Sequence, residues 1–96
     1  MPAFFIVTTT VKDADKYREY GERVGATLAP FGGKPVLRGK AMSALTGELN
    51  HETAGIIEFP DLAAITDWHA SAEYQALLPL RAEAADMTIT TYVVPA

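Results

Sequence analysis

The chain has 96 residues, 49% of them apolar and 21% charged, with a net charge of −4. That composition fits one globular domain, expected over residues 1–96, and excludes a disordered chain. The absence of cysteine excludes a disulfide scaffold, a cysteine-based zinc site, a CxxC redox motif and a thiol nucleophile. The negative balance argues against a nucleic-acid surface.

No apolar run approaches the roughly 20 residues of a membrane span. No basic segment precedes the first apolar stretch, so a cytoplasmic location is expected. Residues 3–11, AFFIVTTTV, are aromatic and β-branched and read as a strand. Phe4, Ile6, Thr8 and Thr10 line one face of it, and Ala3, Phe5, Val7, Thr9 and Val11 the other. Asp13 or Asp15 can cap the helix that follows. In that helix Tyr17, Tyr20, Val24 and Leu28 keep the spacing of one buried stripe. Pro30 and Gly32-Gly33 stop it. KPVLRG (34–39) is a short strand, and Pro35 suits an edge position. Residues 41–45 read as extended, Thr46 to Asn50 as a hairpin tip, and 53–59 as the return strand. Asp61 caps a second helix, whose inner stripe takes Leu62, Ile65 and either Trp68 or His69. Ser71 restarts a capped turn, and Pro79 stands near the start of another. Residues 87–95 form the last strand.

The order is βαββαβ, which predicts an α+β, ferredoxin-like fold with a four-stranded antiparallel sheet and helices on one face. The strands carry bulky apolar groups on both faces. A bare apolar sheet exceeds what monomers usually tolerate. A homodimer with two copies packed sheet to sheet is therefore expected. Charge is uneven: residues 1–40 carry net +3 and residues 41–96 net −7, with Arg81 as the one cation after Lys40. The opposed halves suit either separate solvated faces or head-to-tail docking of two chains.

The ordered set MPAFFIV, DADKYREY, FGGK-x-x-x-RG, IIEFPD, Trp68 and SAEYQALL-x-LRAEAA resembles domain of unknown function family 1330, in the dimeric α+β barrel superfamily. The resemblance spans nearly the whole chain. It implies the ferredoxin-like fold and the sheet-to-sheet dimer, but no established reaction. Proteins of that architecture include cofactor-free monooxygenases, haem-degrading enzymes, muconolactone isomerases and chlorite-dismutase-like haem proteins, and fold alone does not choose among them. Ala72 stands where proline often precedes Glu-Tyr. His69 stands where a tyrosine is common.

If the hairpin tip is centred near Glu48, Arg38 and Glu58 face each other across it. The pair is then either a structural ion pair or the polar floor of a ligand pocket. The register is decisive, because a one-residue slip turns a side chain to the other face. His51 is expected in solvent near the tip. His69, at a helix end, is either a capping cation or a general base or haem ligand. Trp68 and Tyr74 are either core or the rim of a ligand entrance. Arg81, seven residues after Tyr74, is a carboxylate clamp or the partner of Asp61, Asp67 or Asp86. No phosphate loop, GxSxG motif or metal-ligand spacing is present, and no metal or cofactor is expected. The expected function is binding of a small organic molecule in the barrel interior or mouth. Glu58 or His69 would act as base, and Arg38, Trp68, Tyr74 and Arg81 as ligand-binding residues. The chemistry would be proton transfer or cofactor-independent monooxygenation. The other reading is a non-catalytic dimerisation module.

Overall fold

The structure, a computed structural model, describes residues 1–95. Ala96, the last residue of the expected domain, lies outside the described residues. Strand β1 (Ala3–Val11) leads to helix α1 (Ala14–Leu28), then to strands β2 (Lys34–Lys40) and β3 (Thr53–Phe59). Helices α2 (Leu62–Ala70), α3 (Ala72–Gln75) and α4 (Leu78–Ala84) precede strand β4 (Ala85–Val93). The sheet order is β2-β3-β1-β4, and every neighbouring pair is antiparallel. This is the ferredoxin-like fold expected from the sequence, with β2 and Pro35 at an edge.

Local chemistry sets the helix starts. The Asp13 carboxylate accepts the Lys16 amide at 3.1 Å, and Asp61 accepts that of Ala64 at 2.8 Å. Ser71 Oγ accepts the Tyr74 amide at 3.2 Å and donates to the Trp68 carbonyl at 2.7 Å. One hydroxyl thus closes α2 and opens α3. Pro79 sits in the first turn of α4, where a missing amide hydrogen costs no helical bond.

The helices cover one face of the sheet, and the core lies between. Ala3, Phe5 and Thr9 of β1 are buried there, with Phe59 of β3 and Ala85 of β4. Phe5 stacks on Trp68 with ring centroids 5.2 Å apart, and Trp68 lies 4.2 Å from Tyr74. Tyr20 and Leu28 of the expected α1 stripe are buried, and Tyr17 and Val24 are half-buried. In α2 the inner positions are Ile65 and Trp68, while His69 is exposed. The buried indole N–H donates to Thr27 Oγ at 2.9 Å, and that hydroxyl donates to the Val24 carbonyl at 2.6 Å. Gly33 enters β2 hard against this core, where an added Cβ would stand 2.9 Å from the Phe59 ring. Two ion pairs join the basic first half to the acidic second half within one chain: Lys12–Asp86 at 3.6 Å and Lys16–Glu83 at 2.9 Å.

Three expectations are corrected. Residues 41–45 are not a strand; they begin a loop that runs to residue 52. Ala41 N–H bonds to the Glu52 carbonyl at 2.6 Å and closes the hairpin ladder there. Strand β4 starts at Ala85, two residues early, because Ala85 leaves α4 already extended and pairs with Val11. The Arg38–Glu58 pairing does not form. Arg38 faces Gly55, and Glu58 faces Lys34, with an irregularity between Pro35 and Leu37. Next to the loop the ladder pairs Lys40 with Thr53, so the hairpin is centred between Thr46 and Gly47 rather than near Glu48, and the bulge beside Pro35 shifts the remaining pairs by one residue more. The resulting register puts Arg38 and Glu58 on opposite faces.

Candidate functional site

The face without helices is open. Cross-strand pairing sets Phe4, Ile6, Thr8 and Thr10 of β1 beside Glu58, Ile56 and Ala54 of β3 and beside Tyr92, Thr90, Thr88 and Asp86 of β4. Its character changes along the strands. One end is apolar and aromatic, with Phe4 stacked on Tyr92 at 5.0 Å and 12°. The other end is a field of threonine hydroxyls, produced by the alternation of Thr8 and Thr10 against Thr88 and Thr90.

The 41–52 loop rises over that polar end. His51 Nδ1 lies 2.9 Å from Thr10 Oγ, and its Nε2 lies 3.2 Å from Thr88 Oγ. The ring therefore bridges two strands on the open face. A backbone bond from Glu52 N–H to the Thr9 carbonyl, 2.9 Å, fixes the base of the loop. Between loop and sheet lies a cleft of about 740 Å3, with Thr8, Lys40, Asn50, His51 and Thr88 in its wall. A smaller cleft of about 480 Å3 adjoins it on the Thr10 side and shares Lys40, Asn50 and His51. Sequence reasoning put His51 in solvent; the structure holds it half-buried at the centre of these walls.

The other candidate residues fall into three places. Glu58 is exposed on the open face, opposite Phe4 and at the far end from the cleft. Arg38 is exposed on the helix side of edge strand β2, as its pairing with Gly55 and the proximity of Gly55 to Val7 require. Trp68, Tyr74, Arg81 and His69 come together, but in the helix layer. Trp68 and Tyr74 are 1% and 0% exposed, so they pack the core and border no opening. Arg81 donates from Nη1 to the Tyr74 hydroxyl at 2.8 Å, and that oxygen also lies 2.9 Å from the Tyr20 hydroxyl. Among the described residues no carboxylate lies within ion-pair distance of Arg81, so Asp61, Asp67 and Asp86 are not its partners. Burial, and next the hydrogen bond with Tyr74, push the pKa of Tyr20 above the ordinary tyrosine value. His69 is exposed beside this cluster, its ring 5.4 Å from that of Tyr74. The six residues therefore do not line one pocket. Glu58 shares a face with the cleft, and the other five lie on the helix side.

Sheet order, helix placement and open face define a ferredoxin-like protein. The chain belongs to the domain of unknown function family DUF1330, whose model matches residues 2–94. Among solved structures it is similar to a protein of unknown function from Rhodopseudomonas palustris. The TM-score there is 0.82 at 20% identity, over 98% of this chain and 84% of that one. It is also similar to SnoaB, a cofactor-independent oxygenase from Streptomyces nogalater, with TM-score 0.71 and 14% identity over 99% of this chain and 94% of that one. A third similar structure is a dimeric ferredoxin-like protein of unknown function from Thermobifida fusca. It gives TM-score 0.67 and 14% identity over 98% of this chain and 92% of that one. At these identities the likeness is one of fold. No curated protein gives a significant match. Among the described residues no helix is long and apolar enough to cross a membrane.

Proposed function

We propose that the protein is a cytoplasmic homodimer, its open sheet faces packed on each other, that binds a small organic molecule in the enclosed interior. The apolar body of the ligand lies along Phe4, Ile6, Ile56 and Tyr92. Its carbonyl or carboxylate end lies in the cleft under the 41–52 loop, where Asn50 supplies hydrogen-bond donors.

The observation that carries this reading is the cleft. It is open to the bare face of the single chain, and it sets apolar surface beside a few convergent polar groups, the usual composition of a small-molecule site. A sheet face this apolar calls for a cover, and the dimeric neighbour from Thermobifida fusca has the same fold. His51 is the proton carrier of the site. A base fixed from two sides, beside donors that can hold a developing oxyanion, is what proton abstraction from an activated carbon acid needs. That chemistry requires no cofactor. SnoaB, a cofactor-independent oxygenase, has the same fold. Glu58 is a second base candidate at the apolar end of the interior. His69, Arg38, Trp68, Tyr74 and Arg81 lie outside it and serve the helix layer.

An NMR titration with 2-naphthoate, an aromatic carboxylate, tests the reading. Amide shifts are expected at Thr8, Lys40, His51 and Thr88, with binding weakened at least about fivefold in His51→Ala. Shifts confined to the helix layer would overturn it. A dimer that shows no shifts at all would favour the non-catalytic dimerisation module.

A further inference from the structure

The 41–52 loop stands on the open side of the sheet. Its ties are His51 to Thr10 and Thr88, and both of those threonines point to the open face. Yet three of its apolar side chains touch little of their own chain. Met42 is 89% exposed, Leu45 is 98% exposed and Leu49 is 56% exposed. Single exposed apolar residues are ordinary, but three on one loop beside an uncovered sheet are a patch.

The geometry says what covers the patch. Sheets packed face to face lie about 10 Å apart, a gap that their own side chains fill. A backbone loop standing in that gap leaves no room for a second sheet directly above it. A second copy must therefore settle beside the loop, and the loop then runs along its flank. The domain is a slab of 32 × 32 × 17 Å. Its broad face matches the roughly 800 Å2 per partner that a stable interface buries. The edge strand of such a copy offers apolar surface, since Val36 and Leu37 are 54% and 69% exposed.

Resting on the dimer reading above, we infer that Met42, Leu45 and Leu49 of one copy seat against the open face and β2 edge of the other copy. Each loop is thus a wall of the partner's binding interior as well as of its own cleft, and neither site is complete in a single chain.

The lack of cysteine makes the test clean, because Leu45→Cys introduces one thiol at a fully exposed position. Labelling it with benzophenone maleimide and irradiating the dimer is expected to give a product of twice the chain mass. The cross-linked peptide should come from β1, β2 or β3 of the second chain. Products of single-chain mass only, from a sample that light scattering shows to be dimeric, would overturn the inference and leave the dimer reading standing. A monomer by light scattering would overturn the dimer reading itself, and this inference with it. As a second variant, Met42→Asp with Leu45→Asp should raise the dimer dissociation constant at least about tenfold with the secondary structure intact. An unchanged constant would also count against the inference.

Discussion

Tyr74 is fully buried, and its hydroxyl has two uses. It takes the Arg81 guanidinium N–H at 2.8 Å and shares a bond with the Tyr20 hydroxyl at 2.9 Å. Tyr74→Phe removes the link and leaves the Tyr20 hydroxyl without that partner inside the core. Urea unfolding should show a loss of about 1–3 kcal/mol, the cost of an unsatisfied buried polar group. Tyr20 gives the pH dependence. Its folded pKa is raised above the ordinary value of 10.0, first by burial and then by Tyr74. A raised folded pKa means that its contribution is complete below the unfolded pKa and is lost as pH rises past it. Stability should therefore fall above about pH 10, with a slope approaching roughly 1.4 kcal/mol per pH unit from this one group. The difference in unfolding free energy between the native chain and Tyr20→Phe, followed from pH 8 to pH 11, isolates that slope. The spacing of seven puts Tyr74 and Arg81 on one face only if a helix runs through Pro79; the chain breaks between α3 and α4, and the bond between the two side chains was not legible in the sequence.

At the scale of elements, Ser71 joins two helices through one hydroxyl. Ser71→Ala removes both of its bonds and should cost about 1–2 kcal/mol, read as a drop in the urea midpoint with an unchanged slope. Gly33→Ala pushes a methyl to within 2.9 Å of the Phe59 ring. Overpacking of this kind costs about 1–3 kcal/mol, and thermal unfolding should report it as a lowered Tm. Caps, helix stops and strand periodicity were readable because each depends on a few residues in sequence. The β2–β3 register was not. It depends on a bulge beside Pro35 and on a loop of twelve residues, 41–52, whose shape is set by contacts with distant strands. A tip centred near Glu48 pairs Arg38 with Glu58; the actual ladder gives Arg38 to Gly55 and leaves Glu58 facing Lys34.

At the scale of the molecule, one face of the sheet is sealed by helices and the other is bare. The βαββαβ order and the apolar residues on both faces of β1 made that division legible. The place of His51 was not, because its partners Thr10 and Thr88 stand 41 and 37 residues away. The signal available was the alternation of Thr8 and Thr10 with Thr88 and Thr90, which marks a polar end on an apolar face. If the bare face is where two copies meet, Ile6→Glu at its centre should yield a folded monomer, seen as native-like circular dichroism at half the solution mass. The central claim is the dimer that encloses the cleft. Size-exclusion chromatography with light scattering at micromolar concentration tests it most directly. A homodimer gives twice the 10.3 kDa chain mass, and a clean single-chain mass would contradict it.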